Sequence, residues 1–373
     1  MFRFLKTLRK KGGSPDYVFI TTVFILVIFG LAMLSSASSD LGKIHFNDTF
    51  YYLKHQILYG LSLGIAGFLA GYFIPYKKWK TAAPYLLIIS IIALILVFTP
   101  LGMHAGGATR WINLGPLSVQ PAELLKLNFI IYLAAWLSSK KANRQSSFNE
   151  GLLPLLILLG FISVLVILQP ATTTIAIILV SSLVIYFVSG AKLKYIAGII
   201  LLGVVAIGAV ISITPYRYQR VIDYINHNKA DIQGSGYQRN QALIAIGSGG
   251  LTGVGYGQAT AKYKFLPEPF GDSIFAVIAE ELGFLGAIFL ITLFALIFIR
   301  GFKIAMNCRD QFGRLIVIGF ISIVALQAFI NIGAISGILP LTGVPLPFVS
   351  YGGTALAIFL TMMGIIANIS RYN

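Results

Sequence analysis

Ten stretches of about 17 or more apolar, nearly uncharged residues dominate the chain, at roughly 17–37, 55–74, 81–99, 121–138, 152–169, 171–189, 193–213, 273–299, 312–336 and 350–369. A helix crossing the hydrocarbon layer needs about 20 such residues. Strands of a membrane barrel would alternate apolar and polar positions instead, and these runs do not. The pattern predicts an all-α polytopic membrane protein of about ten transmembrane helices. Residues 1–373 read as a single membrane domain, with one large connection at 214–272 between spans seven and eight.

The first run is too long for the 7–15-residue core of a cleaved signal peptide, and it follows Arg3, Lys6, Arg9, Lys10 and Lys11. It reads as an uncleaved signal anchor with its N-terminus inside. Alternation then puts the C-terminus inside and the 214–272 connection on the extracytoplasmic side. Composition agrees with a membrane protein: 57% hydrophobic, 11% charged, mean hydropathy +0.85, where soluble chains carry about 25% charged residues. The charge surplus of +16 sorts by side. Eighteen of the 28 cations fall on the inside, in every short loop there, as orientation by basic loops requires. Lys126 is within a span. Nine fall outside: Lys43, Lys54, Arg110, Arg217, Arg220, Lys229, Arg239, Lys262 and Lys264. The inside set needs no nucleic acid to explain it; the outside set suits an anionic head group.

Polar chemistry concentrates on the outer side. The 214–272 connection is far longer than a structureless loop usually is, which marks it as functional. Residues 215–225 mix aromatics, aliphatics and cations like a segment lying on a membrane surface. A short helix is expected over 241–246. The glycine run Gly247 to Gly257 lacks the G-K-[ST] of a phosphate loop and reads as tight turns against the membrane surface. Asp272 stands at the mouth of span eight. It can cap that helix or serve as a functional carboxylate, and the two roles are compatible.

Glu280 and Glu281, two turns further in, must face protein or a watery cavity and find partners there. Glu123 and Lys126 have the i, i+3 spacing of an ion pair, and Pro121 before them suits a first helical turn. Arg110 beside Trp111 is either an interfacial anchor or a phosphate-binding cation. The last outer loop, 336–353, is stiffened by prolines and glycines. The four His lack metal-ligand spacing, and Cys308, the one cysteine, excludes disulfides. No nucleophile–base motif of a hydrolase or protease is present, and no inverted repeat of a transporter is evident.

Four stretches in order resemble the SEDS family (shape, elongation, division and sporulation), the FtsW/RodA/SpoVE peptidoglycan glycosyltransferases. They are G-A-T-R-W-I-x-L-G-x-x-x-x-Q-P-A-E-x-x-K from Gly107 to Lys126; Y-Q-x-x-Q-A-x-x-A-I-G-S-G-G-L-x-G-x-G from Tyr237 to Gly255; L-P-E-x-x-x-D-x-I-F-A-x-x-x-E-E-L-G from Leu266 to Gly283; and P-L-P-F-V-S-Y-G-G from Pro345 to Gly353. The stretches 50–56 and 234–238 lean toward the FtsW branch, and 331–340 is closer to RodA. Ala171 stands where the family commonly has Asp, Ala122 and Ala242 replace common serines, and Ser273 replaces a common Phe.

The resemblance implies an inverting glycosyltransferase that polymerises lipid II into β-1,4 glycan strands on the outer face of the bacterial cytoplasmic membrane, for septal or elongation cell-wall synthesis. It implies Asp272 as catalytic base and Arg110, Arg239, Lys262 and Lys264 on the pyrophosphate. Glu123, Lys126, Glu280, Glu281 and Trp111 would support the site, with a divalent cation (Mg2+ or Mn2+) as an optional helper. The implied partners are a class B penicillin-binding protein acting as transpeptidase and other divisome or elongasome proteins. A lipid-linked precursor transporter and a non-catalytic scaffold are the alternatives.

Overall fold

The computed structural model describes residues 13–105, 108–113, 115, 118–139, 144–214, 218–219, 221–222, 224, 235–263 and 265–372. The apolar runs are helices: α1 (Tyr17–Ala37), a short α2 (Ser39–Phe46), α3 (Tyr51–Phe73), α4 (Tyr76–Leu96), α5 (Pro121–Leu137), α6 (Phe148–Ile167), α7 (Thr172–Val188), α8 (Leu193–Ile213), α9 (Ser235–Ser248), α10 (Ile274–Asn307), α11 (Gln311–Ile335) and α12 (Gly353–Ser370). Eight of these are long and apolar enough to cross a membrane; α5 and α7, at 17 residues each, are shorter. The protein is a multi-pass membrane protein.

Hydrogen bonds between distant loops define two ends of the bundle. At one, Gly13 N–H donates to Arg371 O (2.7 Å), Lys192 N–H to Gln145 O (3.4 Å) and Lys80 Nζ to Ser138 O (3.4 Å). Arg300 pairs there with Asp16 at 3.1 Å. These are the loops whose cations sorted to the inside. At the other end, Ser118 meets Thr354, Thr173 meets Thr342, and His55 meets Tyr351. Both α5 and α7 run from one end to the other, since Gln120 and Thr173 lie with the second set and Ser138 and Lys192 with the first.

Helices α11 and α12 are mostly buried, whereas α8 buries Ile199 alone. Small residues set the closest packing. A Cβ added to Gly71 would sit 2.8 Å from Ile365 N, and one on Gly364 would sit 2.2 Å from Phe68 O, so α3 and α12 touch backbone to backbone.

The connection after α4 carries an element that the apolar runs do not predict, a three-stranded antiparallel sheet, β1 (Gly102–Ala105), β2 (Ala108–Asn113) and β3 (Ser118–Val119), in that order. The β-favouring run Thr109, Arg110, Trp111, Ile112 forms its centre. β2 pairs with a strand on each side.

Candidate functional site

The site is built on a helix that breaks. Within α10, Gly283 adopts φ 65°, ψ −163°, which interrupts the helical hydrogen bonds across it. Phe284 and Leu285 would ordinarily donate to the carbonyls of Glu280 and Glu281. Instead they donate to Gly250 O (2.9 Å) and Leu251 O (3.2 Å), while Val254 and Gly255 N–H donate to Glu280 O (2.9 Å) and Glu281 O (3.0 Å). Backbone groups released by the break are thus satisfied by protein, as membrane depth demands.

This exchange explains the glycine run. A Cβ on Gly249 would meet Ala279 O at 1.9 Å, and one on Gly253, at φ +81°, would meet Glu281 O at 2.1 Å. The run is therefore a backbone clamp docked onto the broken helix, not turns against the membrane surface. Gly253→Val is expected to lower stability by on the order of 3 kcal/mol or more, combining left-handed strain with overpacking. Gly247→Ala, where nothing lies within 4 Å of the added carbon, serves as the neutral control. Thermal unfolding of the solubilised protein measures both.

The two glutamates tie the same clamp. Glu280 Oε1 accepts from Thr260 N–H (2.7 Å), Thr260 Oγ1 (2.9 Å) and Ala261 N–H (3.3 Å). Glu281 Oε1 accepts from Ser36 Oγ on α1 (2.5 Å) and from Lys262 Nζ (2.9 Å). Their expected burial with partners is what the structure has.

Lys262, however, does not face a ligand. Its side chain is 1% exposed and its ammonium donates to Glu281, Ser36 Oγ (3.0 Å) and Gly257 O (2.7 Å). It is a structural cation, a correction to its expected place on the pyrophosphate. Residue 264 lies outside the described residues, as does most of the expected surface segment at 215–225.

The half-helix held by this clamp, residues 274–282, carries Asp272 just before its start. The N-cap position belongs to Ser273. Asp272 is half-buried, and Gln238 Nε2, from α9, reaches its two carboxylate oxygens at 3.3 and 3.4 Å and Ser273 Oγ at 3.0 Å. The α9 helix is longer than the expected 241–246, and the extra first turns bring Gln238 to the site. Asn331 Nδ2, from α11, donates at 2.7 Å to both Asp272 O and Val344 O. Ser350 Oγ donates to Gly271 O at 2.6 Å. Gly343, at φ +65°, lies beside the carboxylate: a Cβ there would be 3.7 Å from Asp272 Oδ2.

A second buried ion pair braces the loop that closes over this point. Lys126 Nζ lies 2.7 Å from Glu123 Oε1, as their spacing predicts. It also donates to Gln327 Oε1 (2.6 Å) and sits over the Phe359 ring at 5.2 Å. Gln327 in turn donates to Pro345 O at 2.9 Å. Gln327 and Asn331, one turn apart on α11, thus grip successive carbonyls of the 344–345 segment. They escaped the sequence reading, although an i, i+4 polar pair inside an apolar span was a usable signal.

The remaining cations divide. Arg110 donates from Nε to Gln169 O (3.1 Å) and from Nη2 to Pro170 O (3.0 Å), which fastens β2 to the α6–α7 turn. Arg239 follows Gln238 on α9 and stacks its guanidinium on Tyr224 at 5.3 Å. Trp111 is half-buried in β2, paired with Met103. Among the described residues no group of three or more His, Cys, Asp or Glu is placed to hold a metal ion.

Comparison with known proteins is consistent along the whole chain. The family model FTSW_RODA_SPOVE, described as cell cycle protein, matches residues 16–373. The chain is 38% identical over 367 residues to stage V sporulation protein E of Bacillus subtilis, covering 97% of this chain and 99% of the relative. It is 39% identical over 370 residues to the probable peptidoglycan glycosyltransferase FtsW of Nitrosomonas europaea, covering 96% and 93%. Among solved structures it resembles a chain of a peptidoglycan synthase complex that coordinates polymerization and crosslinking (TM-score 0.78, 29% identity, 96% and 98% covered). It also resembles the rod shape determining protein RodA of Thermus thermophilus (TM-score 0.70, 26% identity, 96% and 98% covered).

Proposed function

Because the chain belongs to the FtsW/RodA/SpoVE family of cell cycle proteins, we propose that it is the peptidoglycan glycosyltransferase its site is shaped for, with Asp272 as the base. The observation that carries this reading is a carboxylate at the mouth of the bundle, half-buried and held by Gln238, just before a half-helix whose position is fixed by a backbone clamp. Fixed geometry is what a general base requires.

The substrate is lipid II, a disaccharide-pentapeptide on an undecaprenyl pyrophosphate. The acceptor 4-hydroxyl gives its proton to Asp272 as its oxygen attacks the donor's anomeric carbon, and the bond from that carbon to the pyrophosphate oxygen breaks. The configuration inverts to a β-1,4 link. Pyrophosphate is a good leaving group, so a single carboxylate suffices where glycoside hydrolysis uses two. Arg239, which follows Gln238 in the chain, meets the departing charge in this reading, with Arg110 and Lys264 as further cations. The described residues include no group of three or more His, Cys, Asp or Glu placed to hold Mg2+ or Mn2+.

All ten long helices cross the bacterial cytoplasmic membrane in this reading, both termini are inside, and the Asp272 end faces out. The basic loops gathered at the opposite end support that orientation. A class B penicillin-binding protein supplies the crosslinking, and lipid II and other divisome or elongasome proteins are the further partners.

The test is polymerisation of labelled lipid II by the purified full chain in proteoliposomes, with and without the transpeptidase partner. A ladder of glycan products is expected. Substrate crossing the bilayer unpolymerised would mark a transporter, and neither product nor transport would mark a scaffold.

A further inference from the structure

Beside Asp272 the same end of the bundle carries an aromatic cluster that the mechanism leaves unused. Phe46 and Tyr51 are stacked (centroids 3.6 Å apart, planes 6°). Tyr52 packs edge-on to Tyr51 (5.5 Å) and meets Phe270 at 4.4 Å and Tyr351 at 5.3 Å. Tyr351 OH is 2.9 Å from His55 Nδ1. The cluster joins the catalytic segment directly, because Tyr351 N–H donates to Phe270 O at 2.9 Å, two residues before Asp272, and the adjacent Ser350 bonds Gly271 O. At its outer limit Phe46 is 46% exposed.

The segment under these rings is fixed in advance. Asn47 takes the left-handed conformation at φ 54°, Asp48 accepts from Phe50 N–H (3.0 Å), and Lys54 pairs with Asp48 at 2.7 Å. Those two contacts hold the Asp48 carboxyl below its ordinary value, the Lys54 hydrogen bond contributing most. Anchoring aromatics of a membrane interface set their amphipathic rings at headgroup level. Here the rings pack on one another, and four of the six, Tyr51, Tyr52, His55 and Tyr351, carry polar edges.

We propose that this cluster is a binding platform for pyranose rings of the glycan strand, running from Phe270 beside Asp272 out to the stacked Phe46–Tyr51 pair. The proposal rests on the polymerase reading, since it is a polymer of sugar rings that needs a surface leading away from the base. The chemistry fits. One face of a β-linked pyranose presents C–H groups polarised by the ring and hydroxyl oxygens, and these seat on the negative face of an aromatic ring. Phenol and imidazole edges offer hydrogen bonds to the equatorial hydroxyls. A preformed platform spares the strand part of its ordering cost.

The test uses the full chain in nanodiscs and, as probe, a β-1,4-linked N-acetylglucosamine hexamer observed by saturation-transfer NMR with irradiation of the protein's aromatic protons. Saturation is expected at the pyranose ring protons. Phe46→Ser combined with Tyr51→Ser is expected to weaken binding tenfold or more and to shorten the glycan chains made from lipid II. Tyr52→Phe, which keeps the ring, should bind within about threefold of the unaltered protein. Absence of transfer in the unaltered protein overturns the proposal, as does full binding in the double variant with an unchanged melting temperature. Transfer to lipid protons alone would make the cluster a membrane anchor and also overturn it. Asp272→Asn should still bind the hexamer, so an active Asp272→Asn enzyme that binds it would sink the base assignment and leave the platform standing.

Discussion

Asp272→Asn is expected to lower glycan synthesis from lipid II by about 10²–10⁴-fold, the usual worth of a positioned general base, and to leave the fold intact. The amide has the size of the carboxylate but cannot take the acceptor's proton at neutral pH. The backbone at this position is held independently of the side chain, by Asn331 on Asp272 O and by Ser350 on Gly271 O. Gln238 Nε2 can keep its contact with the amide oxygen. Loss of activity with an unchanged melting temperature therefore assigns the defect to chemistry. Retention of activity above about a tenth of the original would remove Asp272 from the mechanism.

The second large effect concerns stability. Lys262→Met removes the cation from Oε1 of a Glu281 that is 0% exposed and whose Oε2 accepts no hydrogen bond among the described residues. Breaking a buried pair by deleting one member costs about 3–5 kcal/mol, because the remaining charge stays desolvated. The loss should appear as a lower melting temperature of the solubilised protein and poor membrane accumulation. Combining Lys262→Met with Glu281→Gln should recover most of it, since the orphaned charge goes too. The same double variant separates the two roles considered for Lys262. A pyrophosphate ligand would leave the double variant stable and unable to bind substrate, whereas a structural cation gives a stable protein that still polymerises. If the single variant melts with the unaltered protein, the pair carries no stability.

Much of the architecture could be read along the chain because hydrophobic run length is a local quantity. The ten runs became the ten long helices, Pro121 opens α5, and Glu123 finds Lys126 one turn away. What surrounds Asp272 was less readable. Gln238, Asn331, Ser350 and Gly343 come to it from α9, α11 and the loop after α11, with separations of 34 and 59 residues for the first two. No local periodicity encodes such meetings. Lys262 and Arg110 look alike in sequence, cations in Gly/Pro-rich loops. One is sealed against Glu281, and the other spends two of its nitrogens on the carbonyls of the α6–α7 turn.

By itself the sequence determined that this chain must live in a membrane, how its helices are spaced, and which end its cations crowd, because partition of apolar residues and orientation by basic loops depend on composition over short windows. It also placed the carboxylate at a helix mouth. Only the tertiary structure decided that α10 breaks at Gly283, that the glycine run supplies the hydrogen bonds the break removes, and which charges face one another instead of a ligand. Those outcomes follow from the requirement that every buried backbone group and charge find a partner, which the whole fold must satisfy at once.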